Sequence, residues 1–146
     1  MYATQRIISV KESTTEKFEA IKITSSQDAE KFARQFYHDD IELYESFFLI
    51  LLNRANTTIG WVKVSQGGIA GTVVDPIIVA KYVVDTLSSG VILVHNHPSG
   101  RLNPSDADKQ ITSKIKEGLK LFDSQVLDHI ILSKDSYHSM ADNGNI

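Results

Sequence analysis

Two short runs made only of apolar residues constrain the fold of this chain more than any other feature. Residues 47–52 read FFLILL and residues 91–94 read VILV, so neither run offers a polar position on either side of an extended strand. A strand with one face in water alternates polar and apolar side chains, whereas uninterrupted apolar runs are typical of central strands covered on both faces. The chain therefore requires helical layers on both sides of a sheet.

Three other segments have the spacing and the end signals of helices. Apolar residues three and four apart predict a first helix that begins after Ser25 or Ser26 and ends near His38. Asp75 followed by Pro76 predicts the start of a second, over 77–87, which is apolar on most of its circumference and is expected to be buried. The third is a long amphipathic helix over 104–122, whose core-facing residues are predicted to be Ala107, Ile111, Ile115, Leu119 and Phe122.

Further strand signals complete the pattern. Residues 58–65 follow a turn and are expected to form an antiparallel hairpin with 47–52, and the segments 126–133 and 137–140 predict later strands. Strands that alternate with helices predict an α/β fold, here a three-layer sandwich with a mixed β-sheet and flanking helices. Residues 1–24 are expected to form an extended arm or edge strands, with β-leaning pieces at 7–10 and 18–23, ahead of one domain over 25–146.

Cysteine is absent, which removes several classes of structure and site. Without thiols the chain forms no disulfide framework, no zinc finger or ribbon, and no His/Cys/Cys centre like that of the nucleobase deaminases. Any metal must be held by histidine and carboxylate. The N-terminus has no apolar run after its charge and the longest apolar stretch is too short to span a bilayer, so a cytoplasmic location without membrane contact is expected.

The charge balance gives little support to nucleic-acid binding. Fifteen Lys and Arg residues stand against 18 Asp and Glu, a formal net charge of −3. Neutralisation of phosphates by basic side chains dominates non-specific affinity for nucleic acids, and this chain lacks the excess of basic residues that it needs. Nucleic acid therefore stays open as a partner but is unsupported by charge.

The densest cluster of chemical groups is His95-x-His97-Pro98 followed by Ser105-x-x-Asp108. Residues two apart on a strand point the same way, so the two imidazoles are expected close enough to share one ion. A short loop then returns the chain, and Asp108 in the first turn of the next helix can supply a third ligand, with Ser105 on the same helix face. Two histidines and one carboxylate leave an open position on zinc, as in catalytic sites. Hydrolysis of an amide-type bond is the function this predicts.

This string resembles the JAMM (MPN+) metalloprotease motif. The likeness extends over residues 25–146 and is similar in detail to the RadC-like branch of that superfamily. The segments that carry it are His95-Asn96-His97-Pro98-Ser99-Gly100, Pro104-Ser105-x-x-Asp108-x-x-x-Thr112 and Asp128-His129-Ile130-Ile131. The resemblance implies a cytidine-deaminase-like α/β fold and a zinc ion held by His95, His97 and Asp108.

The resemblance also implies roles for two further residues and a substrate class. Glu45 matches the glutamate that precedes the first core strand, and it is expected to activate water and to deliver a proton to the leaving amine. Ser105 is expected to donate a hydrogen bond to the developing oxyanion. The implied substrate is a peptide or an isopeptide-like amide. One departure is Pro76-Ile77-Ile78, where RadC-like chains have Pro-Arg-Glu, and the N-terminal helix-hairpin-helix DNA-binding region of full-length members is not expected in this chain.

Several of these residues have alternative interpretations that the residues themselves leave open. Ser105 could only cap the helix, and Glu42 could replace Glu45 as the base. Asp128 and His129 could orient a metal ligand, although a strand-entry pair with a local hydrogen bond is favoured. His38-Asp39-Asp40 is interpreted as the polar end of a helix rather than as a second group of metal ligands. Asn96 points away from its histidine neighbours and is interpreted as structural.

Two rival functions also remain open. The chain could be a nucleic-acid-binding module in DNA repair or recombination, or a metal-binding scaffold that has lost turnover. The loops 67–72 and 101–103 are expected to rim the site and to set specificity, but neither carries a readable code. The oligomeric state is not predicted.

Overall fold

A five-stranded sheet lies at the centre of the protein, whose computed structural model describes residues 17–67 and 72–146. The order across the sheet is β2-β1-β3-β4-β5, in which β3 and β4 are parallel and the other neighbouring pairs are antiparallel. The predicted hairpin and the predicted mixed sheet are confirmed. In chain order the strands are β1 (Ser46–Leu52), β2 (Thr58–Gln66), β3 (Gly90–Asn96), β4 (Gln125–Leu132) and β5 (Tyr137–Ser139).

Helices cover both faces of this sheet. α1 (Ser26–Ala33) packs on one face, where Phe32 lies in the core beside β1, β3 and β4. α2 (Pro76–Asp85) and α3 (Asp106–Leu119) pack on the other face, where Val83 belongs to the second core cluster. The three-layer α/β sandwich predicted from the sequence is therefore confirmed.

The two central strands are buried along their whole length. All seven residues of β1 and all seven of β3 are buried. Successive side chains of a strand face opposite sides, so Phe48 packs in the cluster with α1 whereas Phe47 packs in the cluster with α2 and α3. A strand with core on both sides disfavours polar residues, which explains the apolar runs. The polar residues Ser46, His95 and Asn96 lie only at the strand ends.

α1 is shorter than predicted. It begins as expected, because Ser25 and Asp28 form a reciprocal capping box at its N-terminus. The α-helical hydrogen bonding ends at Ala33, and a 3-10 turn over Arg34–Phe36 follows. The turn places the Phe36 ring on Trp61, with the ring centroids 4.3 Å apart, so contact with β2 takes the place of further helix.

The expectation that α2 is buried is wrong. Asp75 caps it and Pro76 opens it as predicted, but its buried residues are Val79 and Val83, and Ile77 is 77% exposed. A helix in the outer layer of a sandwich contacts the sheet along one stripe. No other described element covers the opposite side of α2, so its apolar residues there face solvent.

The core-facing residues of α3 also differ from the prediction. Ile115 and Leu119 are buried as expected, but Ala107 is exposed and Phe122 lies beyond the helix with 54% of its surface exposed. Asp108 and Thr112 are buried in their place, while Ile111 is half-buried. The helix is oriented so that Asp108 and Thr112 face the ends of β3 and β4, because the side chains that these two residues contact lie there.

The described part of the N-terminal segment is not a strand. Residues 18–23 make a single bridge, between Lys22 and Thr57, and Ile23 donates a backbone hydrogen bond to the Asn56 carbonyl. Ile21 also bonds Thr58, the first residue of β2, so the segment is held at the β1–β2 turn and at the start of β2. The predicted piece at 7–10 lies outside the described residues. Over 17–67 and 72–146, no helix combines the length and apolar character that crossing a membrane requires.

A pair of substitutions on α2 tests this packing. Val83→Ala removes buried methyl groups at a position with 1% exposure and should lower the free energy of unfolding by about 2 kcal/mol. Ile77→Ala on the exposed side should change it by less than about 0.5 kcal/mol. Urea unfolding followed by circular dichroism measures both, and equal losses would show that both sides of the helix are covered.

Candidate metal centre

Two histidines and an aspartate meet at the carboxyl end of β3. His95 lies in β3, His97 follows directly after the strand, and Asp108 lies in the first turn of α3. The loop between them reverses through Gly100, whose φ of +78° lies in the left-handed region that favours glycine. One ligand atom from each of the three side chains lies within 4.8 Å of the other two. The structure therefore brings together the three residues that the sequence predicts as metal ligands.

The carboxylate of Asp108 faces both imidazoles. His95 Nε2 is 3.1 Å from Asp108 Oδ1, and His97 Nε2 is 3.4 Å from Asp108 Oδ2. The two Nε2 atoms are 2.8 Å apart. His95 is buried and His97 is half-buried, so the group is closed towards the sheet and open on the side of His97.

The chemistry of these donors fits a cation. His97 Nδ1 lies 2.6 Å from the Arg101 carbonyl, which can only accept, so Nδ1–H donates and a neutral His97 presents an unprotonated Nε2 to the site. A nitrogen lone pair and a carboxylate that point at one spot repel each other unless a positive charge lies between them. Nitrogen and oxygen donors of this kind suit transition-metal ions, of which zinc is one.

Asp108 is held in its charged form. Burial alone raises the pKa of this carboxyl, but positive charge on His95 and His97, when they are protonated, and the hydrogen bond from the Ser105 hydroxyl outweigh burial and hold the pKa well below its usual range. The same contact acts on the partner, since Asp108 raises the pKa of His97 against the opposing effect of burial. The site therefore carries a negative charge directed at the imidazoles.

Ser105 caps α3, as one of its two interpretations predicted. Its backbone N–H and its hydroxyl each donate to Asp108 Oδ2 at 2.7 Å, and its Oγ accepts from the Asp108 backbone N–H at 3.1 Å. This capping box fixes one carboxylate oxygen and directs the other towards His95. Its catalytic role stays a prediction.

Glu45 and not Glu42 lies at this site. Glu45 lines a cleft of about 560 Å³ together with His97, Ser105 and Asp108. In the antiparallel pairing of β1 with β3, Phe47 is opposite His95, and continuation of the register carries Glu45 towards His97. Glu42 instead forms an exposed ion pair with Lys134, at 3.1 Å.

Asn96 anchors the segment that carries Glu45, as its structural interpretation predicted. Its side chain is completely buried on the sheet face opposite to the histidines. Oδ1 accepts from the Ser46 backbone N–H at 2.8 Å, and Nδ2 donates to the carbonyls of Ile41 and Tyr44 at 2.7 Å each. One amide thus satisfies three backbone groups on both sides of Glu45 and holds the segment against β3.

Asp128 and His129 form the local hydrogen bond that the sequence favours, and His129 also makes the contact with a predicted metal ligand that was its alternative. The local bond exists, from the His129 N–H to Asp128 Oδ1 at 2.7 Å, but the His129 ring reaches His95 Nδ1 at 2.7 Å. Burial lowers the pKa of His129 well below its ordinary value, so the ring is neutral. Thr112 completes this contact from α3, with its Oγ1 at 2.6 Å from His129 Nδ1. The sequence alone does not predict these contacts, because they depend on β4 lying next to β3 in the sheet.

Other predicted features lie away from the site. His38 precedes a 3-10 turn over Asp39–Glu42, and among the described residues no second group of potential ligands converges. A larger cleft of about 670 Å³ lies at the opposite end of β3, and its lining contains no histidine. Of the predicted specificity loops, Thr72 lines the smaller cleft and Arg101 contacts His97, while 68–71 lie outside the described residues.

Comparison with known proteins finds one family and many relatives. The family model of the RadC-like JAB domain matches residues 23–145. A UPF0758 protein of Flavobacterium johnsoniae is 46% identical over 124 residues, which cover 84% of this chain and 53% of that protein. UPF0758 proteins of Coprothermobacter proteolyticus and Streptococcus gordonii are 38% and 35% identical, over 86% and 87% of this chain and 54% and 55% of theirs. The chain thus spans about half the length of the curated relatives it matches.

Substitution of Asn96 tests how the segment before β1 is held. Asn96→Ala leaves up to three backbone groups without a partner, and each costs about 1–3 kcal/mol when it stays buried, so a loss of at least about 2 kcal/mol is expected. Asn96→Asp restores only the acceptor and should also be destabilised. Urea unfolding measures the effect, with the exposed Asn103→Ala as control. A loss below about 0.5 kcal/mol for Asn96→Ala would contradict the role.

Proposed function

The chain belongs to the RadC-like JAB domain family, and from that premise we propose that it is a zinc-dependent hydrolase of peptide or isopeptide-like amide bonds. The observation that carries the proposal is the convergence of His95, His97 and Asp108 on one point, beside a cleft that Glu45 also lines. A structural site would close around its ion, whereas this group has an open side at a cleft.

Three protein ligands would hold the ion. The imidazole nitrogens of His95 and His97 and one carboxylate oxygen of Asp108 make the set, and the absence of cysteine excludes thiolate alternatives. When bound, zinc polarises a carbonyl oxygen and makes a coordinated water more acidic. The capping box keeps the Asp108 carboxylate in place before any ion arrives, which lowers the cost of forming the site.

Glu45 would act as the proton carrier. Glu45 lines the same cleft as His97. From there it accepts a proton from the attacking water and donates it to the leaving amine. The hydrogen bonds of Asn96 to Ser46 and Tyr44 hold the backbone on both sides of Glu45 in place during these two steps.

Ser105 would bind the carbonyl oxygen as it gains negative charge. Its hydroxyl now donates to Asp108 Oδ2, so this role requires rotation of the side chain towards the cleft. The Ser105 backbone N–H also donates to Asp108 Oδ2 and keeps this carboxylate oxygen in position while the Ser105 side chain rotates. After this rotation, the hydroxyl would donate to the carbonyl oxygen and stabilise the oxyanion.

The walls of the cleft suit a peptide chain. Phe47, Val73, Val74 and Ile111 line it, and Val73 is 89% exposed. Apolar walls around a polar group exclude water and bind side chains next to the scissile bond. A peptide or isopeptide-like substrate is therefore proposed, and a cytoplasmic location stays a prediction. Nucleic acid is not included, since the net charge of −3 offers no support for it.

Elemental analysis tests the metal site. Wild type purified with zinc should hold about one ion per chain, whereas His97→Ala and Asp108→Ala should hold little, because each loses a ligand. His38→Ala, at an exposed histidine outside the site, is the control and should match wild type. Equal zinc content in wild type and His97→Ala would overturn the assignment of the ligands.

A pair of glutamate variants tests the catalytic proposal. Glu45→Gln should retain zinc and lose at least about 100-fold in the rate of peptide cleavage, because it removes the proton carrier. Glu42→Gln, three residues away but outside the cleft, should retain the rate. Cleavage of a mixed synthetic peptide library and of peptides branched at the lysine ε-amine can be followed by mass spectrometry. Zinc content without cleavage of either probe would favour the scaffold function, and equal rates in the two variants would exclude Glu45.

A further inference from the structure

A chain of hydrogen bonds runs behind His95, on the side away from the cleft. His95 Nδ1 is 2.7 Å from His129 Nε2, and His129 Nδ1 is 2.6 Å from Thr112 Oγ1. The Thr112 hydroxyl in turn contacts the backbone carbonyl of Asp108, one turn earlier in α3. All three side chains are buried, with exposures of 1% for His95, 2% for Thr112 and 0% for His129.

One end of this chain fixes the direction of every proton in it. The Asp108 carbonyl can only accept, so the single hydroxyl proton of Thr112 is donated to it. Thr112 Oγ1 must then accept from His129 Nδ1–H. His129 is completely buried and no described carboxylate contacts its ring nitrogens, so it is neutral and its Nε2 carries a lone pair. That lone pair accepts from His95 Nδ1–H.

This arrangement of protons determines whether the other ring nitrogen of His95, Nε2, is protonated. A neutral imidazole carries one proton, and with that proton on Nδ1 the Nε2 atom that faces Asp108 is unprotonated. His97 reaches the same state directly, through its Nδ1 contact with the Arg101 carbonyl. In both cases a backbone carbonyl determines the tautomer, but for His95 it acts through two intervening side chains.

We propose that His129 and Thr112 are positioning residues that hold His95 in the tautomer whose Nε2 is free to bind a metal ion. This inference rests on the metal binding proposed above but not on hydrolysis. Neighbouring contacts keep the relay in place. The Phe47 ring stacks on His95 at a centroid distance of 5.8 Å and meets His129 edge-on at 5.4 Å, which excludes water from the Nδ1 side.

The relay also explains why a polar threonine lies buried in α3. Thr112 packs among apolar residues of the core-facing stripe, yet its hydroxyl contacts both the Asp108 carbonyl and His129 Nδ1. The threonine hydroxyl donates to the carbonyl four residues earlier and still presents its oxygen lone pairs to the sheet. The hydroxyl thus joins the backbone of one ligand, Asp108, to the ring behind another, His95.

Two substitutions at Thr112 test the direction of the relay. Thr112→Val keeps the shape but removes the acceptor for His129 Nδ1–H, so His129 should take the opposite tautomer and donate from Nε2 to His95 Nδ1. The His95 Nε2 would then carry the proton and obstruct the metal. We expect zinc affinity, measured by competition with a chromogenic chelator, to fall about 10- to 100-fold. Thr112→Ser keeps the hydroxyl and should stay within about threefold of wild type.

A spectroscopic measurement separates this role from a structural one. In metal-free protein labelled with ¹⁵N-histidine, long-range ¹H–¹⁵N correlations distinguish a protonated from an unprotonated Nδ1 on His95. Nδ1 should be protonated in wild type and in Thr112→Ser and unprotonated in Thr112→Val. His129→Gln, whose amide can accept from His95 and donate to Thr112, should retain more affinity than His129→Leu.

The outcomes are distinct from those of the proposed function. If Thr112→Val binds zinc as tightly as wild type, or if its His95 Nδ1 stays protonated, the relay is wrong. Equal loss of affinity in Thr112→Val and Thr112→Ser would show that packing, and not the hydroxyl, matters. If wild type itself binds no zinc, the metal-based function fails, whereas the nitrogen signals of His95 still decide whether the relay sets the tautomer.

Discussion

The antiparallel pairing of β1 with β3 is the contact on which the rest of this protein depends. It joins the two strands that are buried on both faces, and it sets Phe47 opposite His95. A shift of one residue would turn every side chain of β1 to the other face of the sheet. Because β1 is apolar on both faces, such a shift would expose no apolar side chain in exchange for a polar one, and the hydrophobic pattern alone opposes it weakly. Asn96 adds a specific restraint, because its side chain in β3 accepts a hydrogen bond from the Ser46 N–H. The register in turn determines that Glu45 reaches the cleft.

Asp108 links the stability of the fold to the chemistry of the site. It accepts from Ser105 in a capping box, where a carboxylate at a helix N-terminus is favourable, and it also faces the two imidazoles. Its backbone carbonyl accepts from the Thr112 hydroxyl. One residue therefore connects the start of α3, the end of β3 and the histidine of β4. Removal of Asp108 is expected to disturb helix capping as well as metal binding, which is why variants of His97 report on the metal more directly.

Hydrophobic pattern predicted the layers better than it predicted which residues meet in them. The apolar runs of β1 and β3, the hairpin, and the capping signals at Ser25 and Asp75 all appear as expected. The prediction that α2 is buried is wrong because the apolar residues around Ile77 do not indicate whether another layer of structure covers that side of the helix. The buried residues of α3 differ from the predicted ones because they include Asp108 and Thr112. Burial of these polar side chains requires hydrogen-bond partners from other elements, which the sequence of the helix does not show.

The sequence by itself determined which residues form the candidate metal-binding group. The spacing of His95, His97 and Asp108 needs only a strand end, a short loop and one helical turn, and the lack of cysteine excludes thiolate ligands. The tertiary structure alone decided that Glu45 and not Glu42 lines the cleft, and that His129 lies behind His95. These contacts join residues on different strands, far apart in the chain, so their existence follows from strand order and register, which local patterns of hydrophobicity and capping do not encode.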